Sequence, residues 1–261
     1  METYKKYFKK NEETLKKLER LHQNKYELLD QLKQSKKLGI DLDPYIIELS
    51  GLPRTGKSVT IDKLNEFFKM ADFKVARTTE PAEILKNSCT LSEISKLSNV
   101  EFNDRTLEIS RNELKRLKSQ KPDIILQDRG VIDNYFWYQM MFNEKTITPE
   151  YYETKLLEMA YDLIDLDQLF VLTAIPDIIV FRDYMNQIFL EPRKKTTVER
   201  VQKLSEGINQ LLGRIYKLDI KDKVMHIDTS YITNNETSII LADKIMTGMQ
   251  QNIYQKTKKK K

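Results

Sequence analysis

Residues 50–58 read Ser50-Gly51-Leu52-Pro53-Arg54-Thr55-Gly56-Lys57-Ser58. Gly51, Gly56, Lys57 and Ser58 fill every fixed position of the phosphate-cradling P-loop pattern. The chemistry needs these residue types. Glycines let backbone N–H groups turn onto phosphate oxygens, the lysine ammonium reaches the outer phosphates, and the hydroxyl beside it can ligate Mg²⁺. Upstream, Tyr45-Ile46-Ile47-Glu48-Leu49 is an apolar run that reads as a buried strand. Downstream, Val59 to Met70 reads as a helix with Ile61, Leu64, Phe67 and Phe68 on one side. Strand, loop and helix in that order is the context the motif requires, and the helix N-terminus adds a positive dipole end at the phosphates. The expected contacts of a bound ATP are Gly51, Arg54, Thr55, Gly56, Lys57, Ser58 and Val59, with Ser58 also a ligand of Mg²⁺.

Phe73 to Thr78 reads as a second strand that ends at Thr79-Glu80-Pro81. Two helices are expected next, one within 82–97 and a longer one over about 100–119. Pro122 opens a third strand, Asp123 to Gln127, which delivers Asp128 and Arg129 at its C-terminal end. Gln168 to Leu172 and Lys223 to Ile227 read as strands four and five, with His226 in the core. Strands alternating with helices predict an α/β fold: a three-layer P-loop NTPase architecture with a central parallel five-stranded sheet. In such sheets ligands sit beyond the strand C-termini. Residues 78–81 and 128–130 are therefore expected to converge on the same cleft as the loop.

The chain has 261 residues, enough for one α/β domain with an appendage. Charged residues are 32% of it, and no apolar stretch approaches the roughly 20 residues of a membrane span. Met1-Glu2-Thr3-Tyr4-Lys5-Lys6 lacks the apolar core of a signal peptide, and Cys89 is the single cysteine, so a cytoplasmic setting is expected. The net charge of +5 comes largely from lysines near the two ends. Such runs are usually solvated, so a small-molecule substrate is expected and nucleic acid is not. Residues 1–40 read as a helical extension with Phe8, Leu15, Leu18, Leu29 and Leu32 on an approximate seam. It either docks on the domain or joins two copies into a homodimer. Residues 41–252 form the catalytic domain and 253–261 a basic tail.

The order of motifs resembles the thymidylate kinase and deoxynucleoside kinase group. The P-loop is followed by Glu80-Pro81 after strand two, Asp104-Arg105 in the next long helix and Asp128-Arg129 after strand three. The resemblance spans about residues 45–250. It implies an ATP- and Mg²⁺-dependent kinase of a nucleoside or nucleoside monophosphate. Glu80 would be the base that takes the proton of a 5′-hydroxyl. Asp128 would support Mg²⁺, Arg129 would position the acceptor, and Arg105 would be a substrate-site arginine. Arg54 matches a P-loop arginine of some thymidylate kinases that stabilises charge on the transferred group. Lys57 completes the catalytic set. A lid is expected around Glu191 to Thr197, with Arg182, Arg193 and Lys194 reaching ATP. Phe102, Tyr135, Phe136, Trp137 and Tyr138 are candidates to wall a base-sized pocket. Two alternatives stay open at this level. One is a P-loop kinase of another small hydroxyl compound, such as an antibiotic or metabolite; the other is a nucleotide-dependent switch protein.

Overall fold

A computed structural model describes residues 2–187 and 196–260, with side chains over 12–185 and 196–259. Five strands alternate with helices: β1 (Tyr45–Gly51), β2 (Val75–Arg77), β3 (Ile124–Asp128), β4 (Gln168–Thr173) and β5 (Val224–Asp228). They pair in parallel in the order β2-β3-β1-β4-β5. Among the described residues the helices are α1 (Glu2–Lys37), α2 (Lys57–Lys69), α3 (Pro81–Ser88), α4 (Leu91–Lys96), α5 (Asn99–Ser119), α6 (Val131–Asn143), α7 (Pro149–Ile164), α8 (Pro176–Gln187), α9 (Val198–Ile215) and α10 (Asn234–Lys260).

Side-chain alternation along the strands divides the core between two faces. Ile46, Ile125, Leu169 and Val171 pack with Leu107 and Leu114 of α5, Tyr135 of α6, Tyr152 of α7 and Leu211 of α9. Ile47, Leu49, Leu126, Phe170 and Leu172 pack on the other face with Ile61, Leu64 and Phe68 of α2 and Leu241 and Ile245 of α10. Both faces are covered, so β1, β3 and β4 read as continuous apolar runs. The chain leaves β1 for β2 and β3 on one side and then crosses to β4 on the other. The C-terminal ends of β1 and β3 thus open a crevice at this switch point.

The leading helix docks on the domain. Leu21, Leu28, Leu29 and Leu32 of α1 are buried in the second cluster, where α1 lies along α10. Lys25 is fully buried, and its Nζ donates to the Phe67 carbonyl at 3.1 Å near the end of α2. Leu15, by contrast, stays exposed. The expected tail is a continuation of α10 through Lys260, with Ile253 buried.

Other local expectations shift. The region between β2 and β3 holds α3, α4 and α5 in place of two helices, because Thr90 with Glu93 and Ser98 with Glu101 form reciprocal capping boxes that restart the helix. β5 is an edge strand on which His226 is exposed, its Nε2 lying 2.7 Å from Thr173 Oγ1; it is not a core residue. Among the described residues no helix is long and apolar enough to cross a membrane.

Candidate functional site

The loop between β1 and α2 needs its glycines. Gly51 has φ +114° and Gly56 φ +89°, and a Cβ on Gly51 would run into the Leu172 carbonyl, one on Gly56 into the Asn234 side chain. Arg54 sits between them at φ +58°, a strained region for a residue with a β-carbon. The Thr55 hydroxyl donates to the Leu52 carbonyl at 2.9 Å and braces the turn. Lys57 opens α2 but is only 5% exposed, its ammonium donating to the carbonyls of Gly51 and Leu52 at 3.1 and 2.5 Å. Burial pushes the Lys57 pKa down to about 7, helped by the nearby Arg129 charge and opposed by Asp133, Asp128 and Glu80. Ser58 and Val59 face outward on the first turn of α2.

The ends of β2 and β3 are tied together beside this loop. The Asp128 amide donates to Thr78 Oγ1 at 3.1 Å, and the Thr78 amide donates to the Leu126 carbonyl at 3.0 Å. Asp128 is 4% exposed, and its Oδ1 is buried without a hydrogen-bond partner; Arg77 Nη2 lies 3.7 Å from Oδ2. Arg129 follows at φ +57°. Its Nε lies 3.3 Å from Glu80 Oε1 and its Nη1 lies 3.0 Å from Asp133 Oδ2. Burial works against the Arg129 charge, but Asp133 and Glu80 outweigh it and hold the pKa above the usual arginine value. Glu80 occupies the N-cap position of α3, ahead of Pro81, yet its side chain makes no capping hydrogen bond; it turns to Arg129 instead.

Two buried acids that sequence reasoning passed over anchor this cluster. Asp133, one helical turn past Arg129, also accepts the Gly51 amide at 3.2 Å through Oδ1. It thereby links the loop to Arg129. Glu48, fully buried in β1, accepts the amides of Ile132 and Asp133 at 3.1 and 2.9 Å, capping α6, and also takes the Ser50 hydroxyl. Desolvation pushes the Glu48 pKa up to about 7 against these hydrogen bonds. Position 130 needs a glycine because a Cβ there would stand 2.6 Å from Glu48 Oε2 and 2.8 Å from Gln127 Oε1. A strand-buried Glu beside a P-loop pattern and an acid four residues after Arg129 were the available signals.

Two clefts flank the cluster. One is lined by Ser58, Arg77, Thr78, Thr79, Glu80, Glu83 and Asp128. The other, a cavity of about 500 Å³, runs between α3, α5, α6 and α9 with Pro53, Phe102, Asn103, Asn134, Trp137, Arg129 and Glu80 in its wall. Glu80 borders both. The Asn103 and Asn134 amides are set by buried bonds: Asn103 Nδ2 donates to the Asn134 carbonyl at 3.1 Å, and Thr106 Oγ1 donates to Asn134 Oδ1 at 2.7 Å. Of the aromatic candidates, Phe102 and Trp137 reach the cavity, whereas Tyr135, Phe136 and Tyr138 are buried in the core.

Arg105 and Arg182 line neither of these clefts. Arg105 is exposed and does not line the cavity, because the inward face of α5 carries Phe102, Asn103 and Thr106 and the helical period turns position 105 away. Its neighbour Asp104 is taken by the Tyr151 hydroxyl at 2.6 Å and by Tyr138. Arg182 stands against the loop itself. It braces the loop from α8, its Nη1 donating to the Arg54 carbonyl at 3.3 Å and its Nη2 to the Thr229 carbonyl at 2.7 Å. Arg193 and Lys194 lie outside the described residues, as does most of the expected lid. Among the described residues no group of three or more His, Cys, Asp or Glu could by itself hold a metal ion. Compared with protein-family models and with curated proteins, the chain matches none.

Proposed function

We propose that this chain is an ATP- and Mg²⁺-dependent kinase whose acceptor is the hydroxyl of a nucleoside-like molecule. One observation carries the reading: Glu80 lies at the boundary of both clefts, so one carboxylate faces a donor side with Ser58 and Asp128 and an acceptor side with Phe102 and Trp137. Phosphoryl transfer relies on positioning and charge neutralisation, with a group that orients the attacking oxygen.

The residues fit a nucleotide and its metal. Ser58 and Asp128 would hold Mg²⁺, which is bound through one or two protein oxygens plus phosphates and so needs no cage of three acids. The partnerless Asp128 Oδ1 is an oxygen available for that use. Bound Mg²⁺ neutralises charge on the outer phosphates. The Lys57 ammonium, which donates to loop carbonyls in the free protein, would serve phosphate oxygens when a nucleotide is bound. Glu80, oriented by Arg129, takes the hydroxyl proton of the acceptor.

A hydroxyl acceptor suits the cavity better than a phosphate. Arg129 is already flanked by Glu80 and Asp133, Arg105 points away, and Lys86 and Arg200 are exposed at the rim. The volume of about 500 Å³ is in the range of small-molecule sites, and two aromatic walls suit a planar base. The test is to incubate the protein with magnesium-ATP and a panel of nucleosides and nucleoside monophosphates beside Lys57→Ala. Lys57-dependent phosphorylation of a nucleoside is expected. Product only from monophosphates would overturn the hydroxyl assignment, and no Lys57-dependent product would overturn the kinase itself.

A further inference from the structure

Arg54 is held from two directions by consecutive residues of α8. Its Nε donates to Asp183 Oδ1 at 2.7 Å, while its carbonyl oxygen accepts Arg182 Nη1 at 3.3 Å. Arg182 is anchored in turn on Thr229, through Oγ1 at 3.2 Å and the carbonyl at 2.7 Å. Asp183 is 5% exposed, so its charge is costly in that position without a cationic partner. Arg54 is the residue at φ +58°, a conformation that persists only where surrounding contacts over-determine it.

From this geometry we infer that Asp183 is a positioning residue that acts through Arg54. The inference rests on the kinase reading, in which Arg54 stabilises charge on the transferred phosphoryl group. The side-on bond uses the Nε–H of the guanidinium, and among the described residues no hydrogen bond engages its two terminal nitrogens. A guanidinium carries five N–H donors in a rigid plane, so gripping one edge fixes the direction of the other. The partly exposed terminal edge is then pre-oriented for phosphate oxygens, and the torsional entropy of the arginine is spent in folding, not at the reaction step. Arg182 fixes the backbone from which that side chain starts. Tethering to α8 and to the residue after β5 ties residue 54 to elements far from it in the chain.

The experiment is a double-mutant cycle on residues 54 and 183 in the full chain, using Arg54→Ala, Asp183→Ala, the isosteric Asp183→Asn and the double alanine variant. Steady-state kinetics are normalised to folded protein by thermal unfolding. Asp183→Asn is expected to lower kcat about 10-fold with the KM for ATP changed less than 2-fold, and Arg54→Ala to lower kcat about 10²-fold or more. In the Arg54→Ala background Asp183→Ala should change kcat less than 2-fold. Equal effects of Asp183→Ala in both backgrounds would overturn the inference while leaving the kinase intact, as would a loss in thermal stability with unchanged kcat. Absence of Lys57-dependent turnover in the unsubstituted protein would remove the kinase reading, and this inference with it.

Discussion

Glu80 Oε1 lies 3.3 Å from Arg129 Nε, an ion pair at the seam between two clefts, and the Glu80 carboxylate is not spent on capping the helix it begins. Residues from the ends of β2 and β3 thus meet although 49 positions separate them in the chain. The pair orients a carboxylate toward any molecule in the larger cavity. Glu80→Gln keeps the shape and removes the proton acceptor. It should lower kcat about 10²- to 10⁴-fold with magnesium-ATP affinity unchanged within 2-fold, measured by kinetics and calorimetry. Retention of full kcat would remove Glu80 from the proton transfer.

On the kinase reading, Lys57 should couple nucleotide binding to protons. With its pKa near 7 in the free protein, a part of the population is neutral at pH 7.5, and phosphate charge favours the ammonium. Binding of magnesium-ATP should therefore take up protons between pH 7 and 8 and tighten as pH falls toward 7. Calorimetry in two buffers of different ionisation enthalpy reads the uptake, which Lys57→Met should abolish. The free fold has the complementary dependence. Because the unfolded lysine still holds its proton up to its usual pKa of 10.5, this contribution to stability is present above 10.5 and is lost as pH falls through 7.

Glu48 acts in the other direction. Its folded pKa of about 7 exceeds its usual 4.5, so its contribution to stability is fully present below 4.5 and is lost as pH rises through 7. A difference of that size corresponds to about 3 kcal/mol across the window. Thermal unfolding of Glu48→Gln between pH 4.5 and 8 should show a flatter profile than the unsubstituted protein. A parallel profile would place the ionisable group elsewhere.

Phe102 and Trp137 should serve the acceptor and not the donor. Truncating either to alanine removes a stacking surface worth about 1–3 kcal/mol per base. The KM for the nucleoside should rise about 5- to 100-fold while the KM for ATP stays within 2-fold. Equal losses for both substrates would assign these rings to packing alone.

The legible parts of the fold were those written in local pattern. The apolar runs at 45–49, 123–127 and 168–172 have strand period and length, and the structure pairs all three in the centre of the sheet. The helix breaks at Thr90 and Ser98 are equally local but hard to see in the sequence, because capping boxes on a charged segment look like ordinary helix surface. Motif order alone points to Arg105, and only the rotational setting of α5 shows that its neighbours face the cavity.

Local pattern is enough for an alternating α/β chain with a two-glycine turn after its first strand and acidic and basic residues at the next strand ends. Period, apolar run length and glycine conformational freedom are properties of neighbouring residues, so they survive without coordinates. Tertiary structure alone decided that α1 docks by burying Leu28, that Glu48 caps α6, that Asp133 joins Gly51 to Arg129 and that Asp183 grips Arg54 across 129 positions. Those contacts follow from strand order and helix packing, and no local period encodes which distant carboxylate will meet a given guanidinium or amide.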